Sequence, residues 1–351
     1  MLSQGKAYIN KGFADKMKIK KIFFWKICKK IYYKLKYLHQ KHLVKFDLLE
    51  EEHAKQFGNK FPDKTFYIIR RRPPACGLLS NFHWVLNHTI YSISKGFIPV
   101  VDMENYKTFY SENFPVETGN GKTLNSWEYY FQQPCGYSLT DIKKAKKVIF
   151  CELKYFVGEL QDVANETCSG TIAVSKYHSF LSQYFKFNQK TTEYMRNAKE
   201  RFFTDKKNIL GVLHRGTDMK ITKAHYTPAS IDQTLQKTQE IFQKENFDYI
   251  FLLTEEQEAL DKFYEIFNRK EIIVNDQQRI KGFNGERGVP DIIQRTSPSA
   301  YKSGLDYLTG VYLLSQCDGI IAPKVNGTYF ALGLNNNKYR YSYIFDLGIN
   351  L

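Results

Sequence analysis

NILGVLHRGTDMK (208–220) decides how the rest of the chain is read. An apolar β-like run ends in Arg215 and Gly216, and open α/β sheets place their ligands beyond the carboxyl ends of such strands. Downstream, the pattern alternates cleanly. A helix near Ser230–Lys244 leads to the strand YIFLLT, a helix over Glu255–Phe267 to the strand EIIVN, and a polar Gly-rich loop (276–294) to a long helix from about Ser299 to Cys317. The strand GIIAP, the glycine-opened helix VNGTYFALGL and a last strand RYSYIFDLG complete the half. Strands and helices at this spacing predict a parallel sheet covered on both faces.

Upstream, KTFYIIRRR (64–72) is a strand candidate, broken by PPACGLLSN. A helical pattern over about Phe82–Lys95 and the strand GFIPVVDME then make a βαβ unit with a glycine in its first turn. NSWEYYF (125–131) supplies an aromatic cluster, AKKVIFC (145–151) another strand, and Val174–Phe203 a helical connection. At 351 residues, two α/β domains are expected, 49–200 and 201–351, after a separate segment 1–48.

Composition narrows the class. With 43% hydrophobic residues the chain buries real cores and is not a disordered polymer. No apolar run is long enough for a transmembrane helix, and no signal-peptide pattern is present. Six cysteines, Cys28, Cys76, Cys135, Cys151, Cys168 and Cys317, lie scattered without CxxC pairs, which argues for reduced thiols in a cytoplasmic protein and against a zinc ribbon. The net charge of +15 is concentrated: residues 1–50 hold 13 Lys and no Arg against Asp15, Asp47 and Glu50. Over residues 16–45, Ile19, Ile22, Phe23, Ile27, Ile31, Leu35 and Leu38 recur at helical steps among lysines and aromatics. Such a basic amphipathic helix suits an anionic membrane surface, which implies a peripheral position on the inner face of the plasma membrane; docking on its own domain is the alternative. A nucleic-acid partner is not expected, because no recognisable module accompanies the charge.

Three strand ends of the second half carry polar groups toward one rim: HRGTD (214–218), LTEE (253–256) and APKVNGT (322–328). An arginine beside a helix start suits a diphosphate, and acidic residues suit donors on a ribose or base. The same residues also fit a blander pattern, with Arg215 a solvated strand end and Asn326 an N-cap.

GVLHRGTD, FLLTEE and SGLDYLTGVYLLSQCDGIIAPKVNGTYFAL resemble the three donor-binding segments of the GDP-fucose-dependent fucosyltransferase superfamily, which includes α-1,6-, nodulation, bacterial α-1,2- and protein-O-fucosyltransferases. ACGLLSNFHWVLNHTIYSISKGFIPVVDME and WEYYF are similar to its first-half elements. The resemblance runs in order over roughly residues 64–346. It implies a glycosyltransferase-B fold, in which two Rossmann-like domains face each other across a cleft. It also implies inverting transfer of fucose to a glycan or lipid-linked glycan acceptor, as in bacterial surface polysaccharide synthesis. Another nucleotide sugar, or a silent nucleotide- or glycan-binding protein, are the alternatives.

By the resemblance, Arg215 grips the β-phosphate, with Thr217 and Asp218 next to it. Thr254, Glu255 and Glu256 line the nucleotide pocket, and Asn326, Gly327 and Thr328 open the last donor helix. Three positions depart from the pattern. Gly216 replaces a second arginine, Leu213 a nucleotide-contacting histidine, and Gly310 an aspartate that helps recognise the nucleotide. His214 should face away from Leu213 by strand alternation, and Asp306, one helical turn before Gly310, is the substitute acid. No Asp-x-Asp pair occurs, so no metal or other cofactor is expected and the leaving charge falls to Arg215 and the helix at Asn326. Asp218 and His225 are the candidate bases. Gly77, Asn81 and His83 are expected to face the cleft on the acceptor side, although His83 also suits a core position. RRRPP (70–74) is either a grip for a charged acceptor or a run of exposed strand-end cations.

Overall fold

The computed structural model describes residues 52–71, 76–151, 174–217, 226–283, 292, 297 and 299–349. The basic segment 1–48 lies outside them, as do Asp218, His225 and most of the loop 276–294.

Apolar runs without alternation need cover on both faces, and the first half supplies it around a four-stranded sheet. Its members are β1 (Glu52–Lys55), β2 (Lys60–Ile69), β3 (Ile98–Val101) and β6 (Ala145–Cys151). They run in the order β1-β6-β2-β3, with β1 antiparallel and the rest parallel. Helix α1 (Leu78–Ser94) crosses from β2 to β3, and the hairpin β4 (Val116–Glu117) and β5 (Lys122–Thr123) projects beyond it. A short helix, α2 (Leu139–Ile142), is started by the reciprocal Ser138–Asp141 capping box.

The expected strand at 64–72 begins earlier and stops at Ile69, because the next two arginines turn inward. Arg70 Nε donates to Asp102 Oδ2 at 2.8 Å, and Arg71 Nη1 donates to Asn81 Oδ1 at 3.0 Å. Neither is the exposed strand-end cation that the sequence allowed.

The helical stretch 174–203 is two helices, α3 (Val174–Tyr184) and α4 (Gln189–Phe203). Asn188 makes the break: its Oδ1 accepts from Thr191 N to cap α4, while its Nδ2 donates to the carbonyls of Glu128 and Tyr129.

The second half is a five-stranded, wholly parallel sheet. Its strands are β7 (Ile209–His214), β8 (Tyr249–Thr254), β9 (Ile272–Ile273), β10 (Gly319–Pro323) and β11 (Tyr341–Phe345). Helices α5 (Ile231–Lys244), α6 (Gln257–Ile266), α7 (Ala300–Ser315) and α8 (Asn326–Asn335) accompany them. The order β11-β10-β7-β8-β9 means that the chain works outward from β7 on one side and then returns to β10 on the other. That reversal creates a crevice at the carboxyl ends of β7 and β10, where open α/β sheets bind ligands.

Strand alternation sorts the core. Leu210 and Val212 join the cluster with Leu235, Leu252 and Phe263, whereas Leu213 joins the one with Val311, Leu314 and Phe330. His214 faces α5, with Nδ1 3.0 Å from Thr234 Oγ1, as the alternation requires.

The larger cluster takes side chains from both halves. Phe82 of α1 meets Phe330 of α8 edge-on at 4.7 Å and also touches Phe131 and Phe185. Polar ties lie beside it: Tyr130 OH donates to Tyr301 O, and Glu112 Oε1 accepts from Ser299 Oγ and Tyr301 N. Cys76, Cys135, Cys151 and Cys317 are free thiols. Among the described residues no helix is long and apolar enough to cross a membrane.

Two buried histidines give the fold an acid limit. Burial pulls His83 down to about 4 and His88 to about 3, so both are neutral in the folded protein. An unfolded chain takes up these protons from about pH 6.5 downward, which the folded one resists until pH 4 or below. Stability is therefore full above pH 6.5 and drains away as pH falls toward 4, by about 1.4 kcal/mol per pH unit for each histidine. Melting between pH 7 and 4 checks this, and His83→Gln should flatten the slope.

Candidate functional site

Arg215 comes directly after the last residue of β7, and the pairing of His214 with Thr254 sets Glu255 of the next strand end beside it. Thr217 Oγ1 donates to Glu255 Oε1 at 2.9 Å, and the Arg215 Nε lies 3.4 Å from the same oxygen. Glu255 is buried and the guanidinium 19% exposed. A contact of 3.4 Å is longer than a charge-assisted hydrogen bond, so Glu255 orients the guanidinium by its field without a close bond at Nε. Glu255 thus ties Arg215 and Thr217 together at the strand end.

Tyr110 joins this group from the first half. Its hydroxyl accepts from Leu78 N, the first residue of α1. Burial pushes the phenol above its usual range, and the charges of Arg215 and Glu255 both act on it. Tyr110 thus ties the start of α1, where Gly77 is the N-cap, to the neighbourhood of Arg215 and Glu255. Nothing in the sequence singled out Tyr110, because an isolated tyrosine in an irregular segment carries no pattern.

Across the crevice, α8 begins beside the end of β7. Val325 is its N-cap and Asn326 its first residue; the cap makes no side-chain hydrogen bond and the first turn holds no acid. Gly327 packs against α7 and the end of β7: a Cβ there would stand 3.0 Å from the Tyr307 hydroxyl oxygen and in ordinary contact, 3.7 Å, with Leu213 Cδ2. The helix presents a positive dipole end and first-turn N–H groups on the same rim as Arg215, an arrangement suited to an anion. Thr328 is turned away from that rim, its Oγ1 donating to Pro323 O at 2.6 Å to stitch the β10–α8 turn.

Other candidates have structural duties. Thr254 Oγ1 accepts from Glu256 N, and Glu256, the N-cap of α6, lies 3.6 Å from His214 Nε2. Asp306 is bound by Lys302 at 2.5 Å and by the Tyr194 hydroxyl at 2.7 Å, so it is committed to a network between α7 and α4. Asn81 holds the turn before α1, accepting from Arg71 and donating to Cys76 O. His83 does not face a cleft: it is buried, with Nδ1 on Leu79 O and Nε2 on the Tyr177 hydroxyl, each at 2.8 Å. Its place on the buried face of α1, beside Phe82 and stacked on Tyr177, decides this. Asp218 and His225 lie outside the described residues.

A separate cavity of about 630 Å3 lies against the β4–β5 hairpin, lined by residues including Glu104, Lys122, Glu128 and Tyr137. Glu128 there is already bonded to Thr123 and Gln133. Among the described residues, no three His, Cys, Asp or Glu side chains are grouped to hold a metal ion.

The second half is thus a doubly wound parallel α/β unit with an anion-suited switch point. No family model matches the chain, and no curated protein does. Among solved structures it is similar to the fucosyltransferase NodZ from Bradyrhizobium, at 13% identity and a TM-score of 0.45, over 76% of this chain and 93% of that one. It is also similar to a mutant form of Arabidopsis thaliana FUT1 in complex with GDP (11%, TM-score 0.46, 80% and 70%). A third likeness is to POFUT1 in complex with GDP-fucose (11%, TM-score 0.43, 82% and 99%).

Proposed function

We propose that this chain is an inverting, metal-independent fucosyltransferase of the glycosyltransferase-B type, moving fucose from GDP-fucose to a glycan or lipid-linked glycan acceptor. The observation that carries the reading is that Arg215, after β7, and the side-chain-uncapped start of α8, after β10, stand at the carboxyl ends of adjacent strands at the sheet's switch point. Its agreement with the ordered sequence segments 211–218, 251–256 and 303–332 supports the choice of donor.

In this reading an acceptor hydroxyl attacks the fucose anomeric carbon from the face opposite the diphosphate. The new C–O bond forms as the bond to the β-phosphate oxygen breaks, and the departing GDP keeps the electron pair. Arg215 and the α8 N–H groups meet the charge that develops on it. The hydroxyl proton goes to a base, with Asp218 and His225 as candidates. The segment 16–45 would hold the enzyme at an anionic membrane face in the cytoplasm, near products destined for surface polysaccharide.

Incubation of the full chain with GDP-fucose and a panel of glycan acceptors tests this directly. The expected result is stoichiometric GDP release and a fucosylated product whose anomeric configuration, read by NMR, is opposite to the donor's. Retention of configuration would refute the mechanism. Absence of both transfer and GDP binding would refute the whole reading.

A further inference from the structure

Beyond β9 the chain forms a short loop whose polar side chains are buried and incompletely bonded. Among the described residues, Asn275 Oδ1, Gln277 Oε1 and Arg279 Nε have no hydrogen-bond partner, and neither does Thr309 Oγ1 on α7. Asn275 and Gln277 are each 5% exposed. The Asn275 amide is fixed in one sense, because its Nδ2 donates to Asp306 O at 3.1 Å, which leaves Oδ1 as the acceptor. Arg279 curls back to hold the loop, donating from Nη2 to Asn275 O and from Nη1 to Gln277 O. Leaving one such buried group unmet costs about 1–3 kcal/mol, so several within five residues mark a place that a ligand completes.

Location ties the loop to the switch-point rim. Ile280 N donates to Glu255 O and Gln257 N donates to Ile280 O, so the loop's far end is fastened to the residue that orients Arg215. Its near end lies against Gly310 of α7, where a Cβ would come within 2.6 Å of Asn275 Nδ2 and 2.5 Å of Leu253 Cδ1. The missing side chain at 310 is what lets the Asn275 amide sit between the helix and the sheet.

We propose that Asn275 and Gln277 are the specificity-determining residues for the base of the bound nucleotide, accepting from its ring and exocyclic N–H groups while the Arg279 Nε–H meets its carbonyl. Two acceptors and one N–H donor match the guanine edge, which offers N1–H, N2–H and O6. Adenine has no carbonyl there, and uracil offers one N–H between two acceptors. This rests on the nucleotide reading of the Arg215 rim.

The test is calorimetry on the full chain with GDP, inosine diphosphate, ADP and inorganic pyrophosphate, for the wild type, Asn275→Ala and Gln277→Leu, each checked for folding by its melting curve. Wild type is expected to prefer GDP over ADP by about 100-fold and over inosine diphosphate, which lacks the exocyclic amine, by about tenfold. Each variant should lose at least about tenfold of the GDP preference and leave pyrophosphate affinity unchanged. If wild type binds GDP and both folded variants keep the full preference, the assignment of these residues is wrong while the phosphate site stands. Equal binding of GDP and ADP by wild type also overturns it, and failure to bind any nucleoside diphosphate removes the parent reading as well.

Discussion

Arg215→Ala is expected to cut fucose transfer by about 10²–10³-fold in kcat, the usual consequence of removing one preorganised charge from a developing anion. The guanidinium is a cation that the structure places at the end of β7, beside the buried Glu255. Its loss has a second effect to be separated from the first, because it leaves the buried Glu255 carboxyl beside Thr217 without its cation. Pairing Arg215→Ala with Glu255→Gln removes that stranded carboxyl. The double variant should regain melting temperature without regaining turnover. Arg215→Lys keeps the charge and loses the planar fork, so it should fall between wild type and Ala. Normal turnover in a folded Arg215→Ala protein would show that the leaving group is met elsewhere.

Phe82→Ala should be the most damaging single truncation for stability. Its ring is almost fully buried and contacts Trp127, Phe131, Phe185 and Phe330, which bring together three stretches of chain remote from α1. A Phe→Ala cavity of this kind costs about 3–5 kcal/mol. For a chain of this size that lowers Tm by roughly 10 °C. Phe82→Leu, which refills much of the space, should lose less than half as much. A melting curve for the Ala variant superimposable on wild type would mean that the aromatic joint between the halves is not a true core.

The second half was legible because its physics is local. An uninterrupted apolar strand, a polar rim and a helix repeat within short stretches, and β7, β8, β10 and β11 fall where the pattern places them. EIIVN shrank to Ile272–Ile273 because the residues after it leave the ladder to form the polar loop at 275–280. Arg215 was found because a cation at a strand end breaks an apolar pattern. Tyr110, Asn275 and Gln277 were not, since their significance comes from neighbours far along the chain: Leu78 for one, Asp306 and Gly310 for another. His83 and Asp306 show the reverse case: the core position that the sequence allowed for His83 is the one it takes, and Asp306 is held in a network between helices. Their chemistry invited a site, and partners on other helices, Tyr177 and Tyr194, had already claimed them.

The Phe82–Phe330 contact has a mechanical corollary. Each ring sits four residues into its helix, about 6 Å behind the tips at Leu78 and Asn326 that border the Arg215 crevice. The pair therefore behaves as a spacer, setting the gauge between two helix tips by the thickness of two rings in edge contact. Swapping ring sizes at these two positions would retune the aperture without altering Arg215 or its partners Glu255 and Thr217.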